Sequence, residues 1–145
     1  MIKKVLVVCL GNICRSPMAE GLLRHNLPNV QVSSAGLGAL VGHGADPTAI
    51  AIMAEQHIDI TSHRARMLSE VMARENDLIL VMDNVQKEQV AQQYPFARGK
   101  VFRLGETIKQ DIPDPYQQDA AVFRASYSLI QQGCATWVKR IHSIS

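Results

Sequence analysis

Two stretches of this chain are apolar without interruption, Val5-Leu6-Val7-Val8 and Leu78-Ile79-Leu80-Val81-Met82. A strand with one face in water alternates apolar and polar residues, whereas an unbroken apolar run is covered on both faces. Strands of that kind, alternating with helices, predict an α/β domain with a parallel sheet. The rest of the pattern supplies the partners. Residues 2–8 read as the first strand, residues 17–26 as a helix with Met18, Leu22 and Leu23 inward, and Val30-Gln31-Val32-Ser33 as a second strand. Gly36, Gly38, Gly42 and Gly44 mark a loop. Asp46 is placed to cap a helix that opens at Pro47 and runs to about His57, with Ile50, Met53 and Ala54 inward.

A short helix over 67–74 carries Leu68, Val71 and Met72, and the strand 78–82 follows. Asp83 caps the next helix, which reaches about Gln93 and is stopped by Tyr94-Pro95. Lys100 to Leu104 is a short strand, and 105–118 is loop. From Asp119 to about Ile141, Phe123, Tyr127, Ile130, Cys134, Trp137 and Ile141 recur at helical spacing, so a long amphipathic helix packs on the sheet.

At 145 residues the chain is one domain, residues 1–145, long enough for a real core. Fifteen basic and thirteen acidic residues give +2, with no block of charge, which argues against a nucleic-acid binder. Val5 to Leu10 is too short to span a membrane or to act as a signal sequence, so no direct membrane insertion is expected. Three cysteines cannot all pair, and a reducing cytoplasm is the expected setting. His25, His43, His57 and His142 show no metal-ligand spacing among themselves or with cysteine, so no metal and no cofactor are expected.

The chemistry concentrates in Cys9-Leu10-Gly11-Asn12-Ile13-Cys14-Arg15-Ser16. Here a cysteine stands where a buried strand ends and an arginine where a helix begins. A strand–loop–helix turn aims backbone N–H groups inward and adds the positive end of a helix dipole, which suits a tetrahedral dianion. Arg15 adds a planar fork able to hold two oxygens at once. Gly11 lets backbone approach a ligand. Cys9 lies under the bound group, where the same field lowers a thiol's pKa and makes it a nucleophile. Ser16 suits the N-cap and Pro17 the first helical position. A buried core cysteine and an ordinary turn are the plain alternatives, and the flanking strand and helix weigh against them.

This octapeptide, together with Asp114-Pro115-Tyr116, resembles the low-molecular-weight protein tyrosine phosphatases. Ser34-Ala35-Gly36-Leu37-Gly38-Ala39-Leu40-Val41-Gly42 is similar to their bacterial branch associated with capsule and exopolysaccharide export. The resemblance implies four strands in the order 2-1-3-4 with helices on both faces. It implies hydrolysis of phosphotyrosine through a Cys9 phosphocysteine, with Arg15 and the amides of residues 10–15 binding phosphate. Asp114 would then be the general acid for phenol departure and the base for the water that follows. Leu40 and Tyr116 would wall the substrate ring. Asn12, Ser16, Ser34 and His63 would stiffen the loop, and Cys14 would protect Cys9 through a reversible disulfide. The implied partner is the tyrosine-rich tail of a membrane tyrosine autokinase.

Outside the resemblance, Asp46 reads only as a helix cap and Cys134 as core; Arg64, Arg66 and Asp83 could border the pocket, with solvated surface or local structure the plainer reading. Other functions remain to be weighed. A thiol-dependent arsenate reductase shares the loop but needs further cysteines, and Leu80 to Val90 contains none. A phosphoarginine phosphatase typically has threonine where Ile13 stands. A mere phosphate-binding module would not need the acid at 114.

Overall fold

The computed structural model describes residues 1–144. Its centre is a four-stranded, all-parallel sheet in the order β2-β1-β3-β4, built from β1 (Lys4–Cys9), β2 (Gln31–Gly36), β3 (Leu78–Val81) and β4 (Val101–Arg103). The two unbroken apolar runs occupy the two central positions, where both faces are covered. Val5, Val7, Cys9, Leu78, Leu80 and Met82 point into one core, and Leu6, Val8, Ile79 and Val81 into the other. The predicted strand order and the helical cover on both faces are those observed.

The first core is closed by α1 (Arg15–Asn26), α2 (Pro47–Glu55) and α5 (Ala120–Ile144), through Met18, Leu23, Ile52, Met53, Phe123, Ile130 and Trp137. The second is closed by α3 (Glu70–Glu75), α4 (Asn84–Gln93) and a 3-10 segment, Pro95–Lys100, through Ala73, Val90 and Ala97. The starts of α2, α3, α4 and α5 each have a local cause. Asp46 accepts from the Thr48 N–H, Ser69 from Met72, Asp83 from Gln86 and Asp119 from Val122. Helix α5 comes close to the sheet at Gly133, where an added Cβ would lie 2.7 Å from the Leu104 carbonyl oxygen.

Several expectations are corrected. Strand β2 runs on to Gly36 instead of stopping at Ser33, because it pairs with β1 up to Cys9↔Gly36. Helix α3 starts at Glu70; Met67 forms a bridge to Gly36, and Ser69 caps the turn that follows. Ala54 and Val71 face solvent, and Ala49, Ile52 and Ala73 take the inward positions. The 3-10 segment was not expected. Ser16 is not the N-cap of α1: the cap position is Cys14, without a side-chain bond, and the Ser16 hydroxyl is used elsewhere.

Candidate active site

Strand β1 delivers Cys9 to the carboxyl edge of the sheet, and α1 begins six residues later at Arg15. The N–H groups of Gly11, Ile13, Cys14 and Arg15 meet no acceptor among the described residues, so the turn holds a set of free donors at the start of a helix. The Cys9 sulfur has two polar neighbours, the Ser16 hydroxyl at 2.9 Å and the Asn12 N–H at 3.3 Å. Both favour negative charge on sulfur when they donate to it.

Asn12 is the keystone of the loop. It is fully buried, with φ 59°, a left-handed conformation that asparagine tolerates better than most residues. Its amide nitrogen donates to Ser16 at 2.7 Å and Ser34 at 3.0 Å, and its amide oxygen accepts from the Arg66 N–H at 3.0 Å. Its carbonyl lies 2.6 Å from His63 Nε2; since a carbonyl can only accept, that nitrogen carries the proton. Ser34 in turn donates to Glu20, which also faces His63 Nδ1 at 3.9 Å.

A second layer comes from the segment after β2. Leu37, Gly38 and Leu40 donate their N–H groups to the carbonyls of Cys9, Leu10 and Gly11 at 2.9, 2.9 and 3.1 Å. The strap is possible because residue 36 is glycine; a Cβ there would sit 2.5 Å from the Leu10 carbonyl oxygen. Leu40 is thereby set beside Gly11. A Cβ added at Gly11 would lie 4.0 Å from Leu40 and 3.8 Å from Ile13, at the rim of the pocket.

That pocket, of about 120 Å³, is lined by residues 9–11 and 13–15 of the loop with Gly38, Leu40, Asp114 and Tyr116. Arg15 is almost wholly buried, yet its guanidinium faces three acceptors: Ile112 carbonyl at 2.8 Å, Asp114 at 3.6 Å and Asp83 at 3.7 Å. Asp114 lies on the loop before α5, its side chain 41% exposed. That loop is held from beneath, with Ile112 donating to the Met82 carbonyl at 2.8 Å and Ser126 to the Pro113 carbonyl at 2.9 Å. Asp114 Oδ1 accepts from the Tyr116 N–H at 3.1 Å, which couples the carboxylate to the aromatic wall.

Residues 4–144 match the family described as low molecular weight phosphotyrosine protein phosphatase. The chain belongs to that family. It is 51% identical over 144 residues to the probable low molecular weight protein-tyrosine-phosphatase EpsP of Ralstonia nicotianae, a match that covers 99% of each chain. The solved structure of Vibrio vulnificus Wzb in complex with benzylphosphonate superposes with a TM-score of 0.94 at 41% identity, covering 97% of this chain and 99% of that one. A more distant member, the YwlE arginine phosphatase from Geobacillus stearothermophilus, gives a TM-score of 0.91 at 30% identity, covering 97% and 94%. The protein is thus a phosphoric monoester hydrolase of the protein-tyrosine-phosphatase type.

In this phosphatase the residues singled out from sequence gather at one place. Cys9, Arg15, Asp114, Leu40 and Tyr116 share the pocket; Asn12, Ser16, Ser34 and His63 form one bonded set behind it. Asp83, read from sequence as local structure, both caps α4 and faces Arg15. Arg66 joins the loop support through its own N–H to Asn12 and its Nε to the Ser34 carbonyl, while Arg64 caps nearby carbonyls at the surface. Glu20, Ile112 and the 36–40 strap were missed. Glu20 stands four residues before Arg24, with which it pairs, so nothing in its spacing points to Ser34 or His63, and a backbone carbonyl has no sequence signature at all.

Cys14 is buried and its thiol is pushed well above the ordinary range. Burial is the main cause; negative charge at Asp46, Cys9 and Asp114 adds to it, and Arg15 opposes it. Cys134 is raised in the same direction by burial alone. Both are free thiols in the core, as is Cys9. No helix among the described residues is long and apolar enough to cross a membrane.

Proposed function

We propose that this phosphatase hydrolyses phosphotyrosine through a covalent phosphocysteine on Cys9. The observation that carries the reading is the gathering of Cys9, Arg15 and Asp114 in one small pocket beside Tyr116. The free loop N–H groups and the Arg15 guanidinium bind the three non-bridging oxygens and set phosphorus above the sulfur. The Cys9 thiolate attacks phosphorus, an S–P bond forms and the aryl P–O bond breaks. Asp114, protonated, gives its proton to the departing phenolate oxygen. As a carboxylate it then takes a proton from water; the water oxygen attacks phosphorus, the P–S bond breaks, and phosphate leaves with the thiolate restored. Ser16 donates to sulfur as charge returns to it.

The pocket walls support an aromatic ester. Leu40, Ile13 and Tyr116 offer apolar surface to a ring, and Ile13 gives a guanidinium no hydrogen-bonding group from its side chain. The partner we propose is the phosphorylated tyrosine-rich tail of a membrane tyrosine autokinase of exopolysaccharide or capsule production, met in the cytoplasm. The high identity to EpsP, a probable protein-tyrosine-phosphatase, supports a phosphotyrosine protein as the substrate class.

The test is a comparison of leaving groups in three enzymes. Cys9→Ser loses turnover. Asp114→Ala still forms the phosphoenzyme but turns over slowly, and its kcat/KM falls by about 10²-fold or more for phosphotyrosine and much less for an activated aryl phosphate that needs no proton. Turnover of Cys9→Ser near the unsubstituted rate, or an Asp114→Ala loss independent of the leaving group, would refute the mechanism. Phosphoarginine hydrolysed faster than phosphotyrosine would move the substrate assignment to the other branch. Asp114→Ala exposed to phosphoproteins of the parent cell should retain the autokinase tail.

A further inference from the structure

The contacts of Arg15 can be followed outward to a residue that does not line the pocket. Its Nη1 donates to the Ile112 carbonyl at 2.8 Å and faces Asp83 Oδ2 at 3.7 Å. Ile112 is itself fixed by its N–H, which donates to the Met82 carbonyl at 2.8 Å. Asp83 follows Met82 directly. Both acceptors therefore depend on the conformation of Met82, a fully buried residue just beyond the last β1–β3 pair, Val8↔Val81. With strand pairing ended, the Met82 N–H would be a buried donor without a partner. The side chain of Gln86 supplies one, Oε1 accepting at 2.9 Å, and Gln86 is itself 95% buried.

The same residue holds Asp83. The Gln86 N–H donates to Asp83 Oδ1 at 2.8 Å, leaving Oδ2 turned to Arg15. Asp83 and Gln86 occupy the N-cap and N3 positions of α4, the two places of a capping box. In the usual box the N3 side chain returns to the N-cap N–H; here it reaches one residue further back. That extra step takes the bond out of helix capping and into the end of β3, on which the arginine's acceptors rest.

We infer that Gln86 is a positioning residue for Arg15, fixing Met82 and Asp83 so that the guanidinium fork is aimed before substrate binds. It touches neither substrate nor reacting atoms. The inference rests on the phosphoryl-transfer reading above, in which Arg15 stabilises the five-coordinate state. A misaimed fork should therefore weaken a five-coordinate analogue more than a tetrahedral ground-state ligand.

The experiment measures orthovanadate and inorganic phosphate inhibition constants for the unsubstituted enzyme, Gln86→Met and Gln86→Glu. Methionine keeps the length of the side chain and loses the strong acceptor; glutamate keeps it, at an N3 position where glutamate is favoured. In Gln86→Met the vanadate-over-phosphate preference should fall by about 10-fold, less than the loss of a direct oxyanion donor, with kcat/KM reduced by a similar factor for every leaving group. Gln86→Glu should keep the preference. An unchanged ratio in Gln86→Met, whatever its Tm, or a loss in Gln86→Glu equal to that in Gln86→Met, would overturn the role. If the unsubstituted enzyme itself showed no preference for vanadate, the phosphoryl-transfer reading would fail instead.

Discussion

Left-handed backbone costs an ordinary L-residue about 1–2 kcal/mol, and Asn12 is held there by four bonded neighbours. Backbone strain and side-chain anchoring can be separated by substitution. Asn12→Gly removes the strain and the three side-chain anchors, and Asn12→Ala removes those anchors alone; the bond from His63 to the main-chain carbonyl remains in both. Both should lose about 10²-fold in kcat/KM, as expected when a reacting group drifts by an ångström. The alanine enzyme should melt lower than the glycine enzyme; the reverse order of Tm would show that φ at this position is not under strain. At Cys14 burial keeps the thiol neutral at physiological pH. If Cys14 protects Cys9, peroxide converts Cys9 to a sulfenic acid, the Cys14 sulfur gives up its proton and displaces water from it, and a disulfide forms. Peroxide-treated enzyme should then recover activity with dithiothreitol, whereas in Cys14→Ser further peroxide should carry the Cys9 sulfenic acid on to the irreversible sulfinic acid, and activity should not return.

At the scale of elements, the phosphate loop is not self-supporting. Its carbonyls at Cys9, Leu10 and Gly11 are taken by the strap after β2, so loop and strap move together. Gly36→Ala forces a methyl group to 2.5 Å from the Leu10 carbonyl oxygen. Relief by backbone displacement costs about 1–3 kcal/mol, and it moves Leu40 away from the substrate ring. The expected result is a lower Tm together with a raised KM for phosphotyrosine; a normal KM would show that the strap does not set the pocket wall. The outer edge of β2 shows a related economy. Its Val32 and Ser34 carbonyls accept from Arg24 and Arg66, so part of the edge is occupied by side chains and less open to another strand.

Across the whole molecule, burial of two thiols and a phenol ties stability to alkaline pH. Cys14 and Cys134 are raised mainly by burial, and so is Tyr127. These groups stay neutral in the fold while they ionise in the unfolded chain from about pH 9 upward. Their contribution is therefore complete below that pH and is lost as pH rises. Unfolding by denaturant should show a flat midpoint from pH 7 to about 8.5 and a falling one above it. Cys134→Ala should be less stable than the parent at pH 7, because it leaves a cavity, and should show a shallower alkaline decline. Equal alkaline slopes would remove Cys134 from that account.

Much of the architecture could be read from the chain because its causes are local. Two unbroken apolar runs require cover on both faces, Asp46 and Asp83 carry their own capping chemistry, and Cys9 to Ser16 lie within a single turn between a strand and a helix. What required the tertiary structure was everything joined across distance. Ser16 could be read as a cap because propensity sees only neighbours; in the fold its hydroxyl is spent on the Cys9 sulfur and the Asn12 amide. The contacts of Glu20 and Ile112 with the site carry no signal in sequence, since their partners lie 14 and 97 residues away; Gln86 stands at a capping-box position, but its bond to the Met82 N–H cannot be read from that spacing. Local stereochemistry, in short range, decided where the strands, turns and nucleophile fall. Only chain folding, by bringing distant donors and acceptors into a buried space where an unpaired group is costly, decided how the arginine and the acid are aimed.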